Sequence, residues 1–194
     1  IRACLEGVIP STVATCAPPP PTGTLRRVLG GVKPETTADA ERPELLPLAS
    51  VGASIAGSDG FFAPPAPPAP ARLEGPGVSI ECVDCGSPAA PLAPVNSDGD
   101  ADFGSGGADA IGNGLATPAD RAAFFHASAA RAFAARYLAL PFVTAPLPVR
   151  TNINSACNAY WDGAALSFFR SSARCSNTGE SRDVIQHEWG HGLD

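Results

Sequence analysis

The clearest helical pattern in the chain begins at Thr117-Pro118, with a hydroxyl residue at the N-cap, proline at the first helical position and Asp120 in the first turn. The stretch that follows, DRAAFFHASAARAFAARYLAL, is rich in alanine. Phe125, Ala129, Ala132, Phe133 and Arg136 combine an apolar face with a polar edge. A helix is predicted there and Pro141 ends it, because its ring and missing N–H cannot continue the ladder. A second helix is predicted at the C-terminal end, with Ser181 as N-cap, Asp183 in the first turn, and Ile185 and Trp189 on one face.

Elsewhere the pattern has the period of strands. Val78-Ser79-Ile80-Glu81-Cys82-Val83 alternates apolar and polar residues, the mark of a half-buried strand. Residues 148–170 read as a hairpin: a strand over Pro148–Asn154, a second segment from Cys157 to Trp161, a turn at Asp162-Gly163, and a return over Ala165–Phe169. Ser58-Asp59-Gly60-Phe61-Phe62 reads as a turn entering a strand. TLRRVLGGV (24–32) and ELLPLASVGASI (44–55) suit short strands of a small β module, since Pro breaks the aliphatic runs before a helix can form.

Composition adds loops to this picture. The 194 residues include 21 Pro and 20 Gly, about a fifth of the chain. APPAPPAPA (63–71) reads as a stiff polyproline loop. Asn96–Asp102 resembles the start of a calcium loop, but it lacks the closing Glu and Phe103 interrupts it, so a solvated turn is favoured and Ca²⁺ is not indicated. The run to Leu115, rich in Gly, Ala and Asp, is another loop. The chain therefore divides into an irregular, β-leaning segment (1–50), a small β-rich region with Pro- and Gly-rich loops (51–116) and a region of helix, hairpin and helix (117–194). The expected fold class is α+β.

The net charge of −6, with no basic cluster, argues against a nucleic-acid partner. No apolar run reaches the 18 residues of a membrane-spanning helix. The chain begins at Ile1, contains no Met and shows no signal-peptide pattern, so an internal fragment is expected, with any leader absent or removed. Cys4, Cys16, Cys82, Cys85, Cys157 and Cys175 fall into three local pairs, although six cysteines allow fifteen pairings. An even count in a Pro-rich chain fits disulfides and a secreted, extracellular protein. Cys157 lies near the start of the predicted hairpin and Cys175 beyond its end, so a disulfide would staple it. A lone Cys82-Val-Asp-Cys85 is weak evidence for zinc or redox chemistry.

The chemistry gathers at the C-terminal end. His187-Glu188-Trp189-Gly190-His191 is an HExxH pattern. Two His four apart on a helix point the same way and can hold one Zn²⁺, while Glu188 faces the zinc-bound water as general base. A catalytic zinc usually takes a third protein ligand, which is expected beyond residue 194. His126, with no second ligand four residues away, reads as a surface or supporting His. Asp194, three residues after His191, suits a carboxylate that orients a His. Gly190 costs helix propensity, about 1 kcal/mol relative to Ala, and suggests close packing.

NAYWDG (158–163) and RDVIQHEWGHGLD (182–194) resemble the fungalysin and thermolysin families of gluzincin zinc metallopeptidases, in which a similar strand precedes a DVxxHExxH helix. The Ala-rich helix also sits where fungalysin-like enzymes carry a long helix. The resemblance covers roughly residues 117–194. It implies a thermolysin-like N-terminal catalytic lobe, a zinc-dependent endopeptidase acting on protein or peptide substrates, and a third ligand that is a Glu on a later helix. It also implies that Asn158 and Ala159 lie on an edge strand that pairs with the substrate backbone, since an open edge binds extended peptides with little side-chain demand. On this reading the chain alone is inactive. The rival expectation is a secreted, non-catalytic binding or structural module.

Overall fold

The computed structural model describes residues 24–65, 67–85, 91–107 and 115–194; Cys4, Cys16 and the Pro18–Pro21 run lie outside the described residues. The first half of the chain forms β1 (Arg26–Val32), β2 (Arg42–Leu45), β3 (Ser50–Val51), β4 (Ser54–Ile55), β5 (Phe61–Phe62), β6 (Ala71–Arg72), β7 (Val78–Cys82), β8 (Leu92–Ala93) and β9 (Ala101–Asp102). The second half forms α1 (Pro118–Ala134), α2 (Pro141–Thr144), β10 (Leu147–Ile153), β11 (Ala159–Trp161), β12 (Leu166–Phe169), a 3-10 turn (Thr178–Glu180) and α3 (Arg182–His191). The architecture is α+β, as expected.

Among the described residues the strands make three four-stranded sheets. β1 pairs antiparallel with β2 and β5 and parallel with β9, and a smaller antiparallel sheet has the order β4-β3-β6-β8. The third sheet has the order β11-β12-β10-β7, and its strands β7, β10 and β12 run parallel. Parallel neighbours need a long crossover, and α1 lies in the connection from β7 to β10, packed against both strands. This sheet draws on both sides of the boundary read at residue 116.

The hairpin is narrower than its sequence pattern suggests. Only β11 and β12 pair antiparallel, closed at Asp162-Gly163 with Gly163 at a φ of 89° and the Asp162 carboxylate accepting the Ala164 and Ala165 N–H groups. The 148–154 strand is instead a parallel inner strand between β12 and β7. Alternation reports which faces are buried, not which neighbour a strand takes.

α1 begins as predicted, with a full capping box: the Asp120 N–H donates to the Thr117 hydroxyl and the Thr117 N–H donates to the Asp120 carboxylate. Its inner face is mostly alanine, and Ala119, Ala122, Ala123 and Ala127 are fully buried. The helix stops at Ala134, not at Leu140, because every residue from Ala135 to Pro141 is exposed and an extension would bury nothing. Pro141 does not end this helix. It starts α2 from the first helical position, with Leu140 held extended before it.

Two buried side chains of α1 tie the first sheet to the rest. Arg121, 1% exposed, donates to the carbonyls of Gly31, Ala116 and Gly106 and pairs with Glu41 at 2.7 Å. His126, buried and not on the surface, shares a 2.9 Å hydrogen bond between its Nε2 and the Lys33 carbonyl. No described helix is long and apolar enough to cross a membrane.

Candidate metal centre

α3 follows the 3-10 turn directly, with Ser181 at its N-cap position and Asp183 in its first turn. Ile185, Glu188 and Trp189 are buried, while His187 and His191 are exposed on the outer side. The amphipathic stripe of the motif thus fixes the roll of the helix: burying Ile185 and Trp189 turns both imidazoles outward.

The two imidazoles converge. Nε2 of His187 and Nε2 of His191 lie 3.1 Å apart, with the rings edge to face at 88°. Two Zn–N bonds of about 2.0–2.1 Å at a tetrahedral angle place their nitrogens about 3.3 Å apart. The observed 3.1 Å separation is close to that spacing. Asp194 stands on the opposite side of His191, with Oδ2 3.9 Å from Nδ1, too far for a hydrogen bond and largely exposed. Among the described residues no third His, Cys, Asp or Glu shares a ligand cluster with the His pair.

Two grooves border the pair. One, of about 440 Å³, is lined by Asn158, Ala159, Thr178, Asp183, His187 and Glu188, among others. The other, of about 480 Å³, lies on the His191 side and includes Phe142, Trp161 and Asp194. Asn158, Ala159, His187 and Glu188, four residues singled out in the sequence, thus share one groove.

β11 is the end strand of its sheet. Asn158 turns its backbone inward, its carbonyl accepting from the Phe169 N–H at 3.3 Å and the Thr178 hydroxyl at 2.9 Å. By the alternation of antiparallel pairing, Ala159 and Trp161 then direct their N–H and C=O groups to the open edge. Asn158 keeps only its side chain for the groove.

An aromatic wedge that the sequence pattern did not reveal packs against both strand and helix, which also contact each other directly. Phe142 of α2 packs between Trp161 of β11 and Trp189 of α3, with ring centroids 5.0 and 5.2 Å away. Gly192 lies against the same ring, where an added Cβ would collide with Phe142. Close packing therefore falls on Gly192. At Gly190, where the motif suggested it, an added Cβ meets nothing within 4 Å. The Pro141-Phe142 pair after the helix is the available signal, since proline at a first helical position starts α2 and carries Phe142 into the wedge.

The remaining candidates have structural partners. Cys82–Cys85 and Cys157–Cys175 are disulfides, the second joining residues 18 apart across the β11–β12 hairpin. Cys82, Cys85 and Asp120 form a buried cluster of a kind that can hold a metal ion, but both sulfurs are spent in the disulfide. Burial pushes the Asp120 carboxyl above the usual carboxylate range, against hydrogen bonds from Thr151 and Thr117. In the 96–102 loop, Asp100 is bound by the Arg27 guanidinium, which lowers its pKa, and the Asn96 side chain accepts from the Asp98 and Asp100 N–H groups. The turn itself is exposed over 96–98, whereas Asp100 is buried and Ala101–Asp102 form β9.

No protein-family model matches the chain, and no curated protein matches it.

Proposed function

We propose that this chain carries the HExxH half of a zinc-dependent metalloendopeptidase site, in a lobe of the thermolysin and fungalysin type, belonging to a secreted protein that cleaves protein or peptide substrates. One observation carries the reading: the Nε2 atoms of His187 and His191 lie 3.1 Å apart, and His187 shares with Glu188 a groove bordered by an open strand edge. The paired disulfides support the extracellular setting.

His187 and His191 would hold the ion, with a third ligand, a Glu in the gluzincin pattern, contributed from outside the described residues. A bound Zn²⁺ supplies a Lewis acid that polarises the scissile carbonyl and acidifies water. Glu188 takes the proton of the attacking water and delivers it to the leaving amine nitrogen. Glu188 lines the same groove as His187, which supports this role. The outward N–H and C=O groups of Ala159 and Trp161 hold an extended peptide as one more strand, and the Asn158 side chain reaches the same peptide from the groove wall.

The test has two parts. Competition with a chromophoric chelator measures zinc affinity of the chain, and His187→Ala or His191→Ala abolishes it. In a peptidase assay of the full-length polypeptide, Glu188→Gln removes activity while zinc stays bound. Equal zinc affinity in wild type and His187→Ala refutes the metal centre; activity in Glu188→Gln refutes the mechanism.

A further inference from the structure

The short tract Asn177-Thr178-Gly179 touches the protein interior and both walls of the groove. Asn177 is 1% exposed, and its side-chain N–H donates to Asn152 Oδ1 at 2.8 Å. Its own Oδ1 accepts from the Gly179 N–H at 3.0 Å, capping the 3-10 turn that runs into α3. Thr178 holds the strand wall, its hydroxyl 2.9 Å from the Asn158 carbonyl. Gly179 is wedged between α1 and β12, where an added Cβ would lie 3.2 Å from the Cβ atoms of both Ala119 and Phe168.

Asn152 anchors this tract. It is fully buried, sits at the irregularity where the β10–β12 register shifts, and adopts a left-handed φ of 53°. Such a conformation is strained in a residue with a side chain, and it persists only where several contacts fix it. The Asn152 amide supplies them. Its Nδ2 lies 2.9 Å from the Thr117 hydroxyl and 3.0 Å from Cys82 Sγ, linking the cap of α1 and the disulfide to the turn before α3.

We infer that the buried Asn152–Asn177 amide pair is the positioning element of the metal groove, setting strand β11 through Thr178 and helix α3 through the capped turn. The inference rests on the reading of His187 and His191 as a zinc centre. Neither Asn touches the metal position or the open edge; both act through the elements they fix.

Hydrogen–deuterium exchange of the whole chain with disulfides intact, read by mass spectrometry beside zinc affinity, tests it. Asn177→Ser keeps an acceptor for the Gly179 N–H but is too short to reach Asn152. It raises exchange over 157–162 and 178–192 and weakens zinc binding, each about tenfold, while β1, β7 and α1 stay near wild-type rates. Thr178→Val, nearly isosteric and informative on the strand wall even if Asn177→Ser folds poorly, raises exchange over 157–162 and at Phe169, whose N–H donates to the same hydroxyl, and leaves 182–192 at wild-type rates. Wild-type exchange at both walls in Asn177→Ser overturns the inference, and so does a uniform rise across the chain, which is what a general loss of stability gives. Unchanged exchange over 157–162 in Thr178→Val does the same. A wild-type chain that binds no zinc, yet shows the expected exchange pattern in the variants, refutes the zinc reading and leaves the amide pair as the element that positions both walls.

Discussion

Replacing Gly192 by alanine, beside the same change at Gly190, separates backbone preference from packing within the HExxH segment. Gly192 has an ordinary right-handed backbone, φ −73° and ψ −8°, and Gly190 lies inside α3. On backbone grounds alone both changes stabilise the chain, by about 0.5–1 kcal/mol. At Gly190 nothing lies within 4 Å of the new Cβ, so that gain is realised. At Gly192 the new Cβ collides with the Phe142 ring, which cannot swing aside because Trp161 and Trp189 flank it at 5.0 and 5.2 Å. Overpacking of this kind costs about 1–3 kcal/mol, which leaves Gly192→Ala destabilised by about 0.5–2 kcal/mol. Urea unfolding followed by tryptophan fluorescence measures both, since the chain's two tryptophans are those of the wedge. In a Phe142→Ala background the Gly192→Ala penalty disappears, a coupling that a double-mutant cycle reports. If Gly192→Ala is as stable as Gly190→Ala, the wedge does not fix the C-terminal end of α3 and the reasoning fails.

Arg121→Met leaves Glu41 without its cation and the Gly31, Ala116 and Gly106 carbonyls without their donor, so a loss of about 3–5 kcal/mol is expected in chemical denaturation. A loss below about 1 kcal/mol would mean that the first sheet does not depend on this clamp. His126 has its pKa lowered from 6.5, chiefly by burial, so the folded chain favours the neutral ring. Its contribution is therefore complete above pH 6.5 and is lost as the pH falls through the lower folded value. Thermal melts between neutral pH and about pH 5 should show the wild type losing stability relative to His126→Gln as acid is added; a constant difference between the two would contradict the assignment.

Much of the centre was legible in the sequence because its determinants are local. The i, i+4 spacing of His187 and His191 and the i, i+4 pair Ile185 and Trp189 fix which way α3 rolls, whatever the helix packs against. Thr117, Pro118 and Asp120 fix the start of α1 for the same reason, since a cap is satisfied within four residues. Asp162-Gly163 fixes the β11–β12 turn. The failures come where the outcome depends on a distant partner. The alternation over 148–154 was correct, but the parallel neighbours of β10 are supplied by β7 and β12, and the period of a strand carries no information about direction. Pro141 has the same ring whether it ends one helix or starts the next, and the exposure of residues 135–140 decided between them.

Local geometry along the chain is enough to set the facing His187 and His191 pair, the adjacent Glu188 and the strand that leads into the turn, because each rests on one turn of helix or one hairpin. Assembly of the fold was needed to make β11 an edge, to seat Phe142 between Trp161 and Trp189, and to bring Asn152 to Asn177. Those contacts join residues tens of positions apart in the chain. Only the shape of the folded interior can select them, since packing density and buried hydrogen bonds are properties of the assembled set and not of any segment.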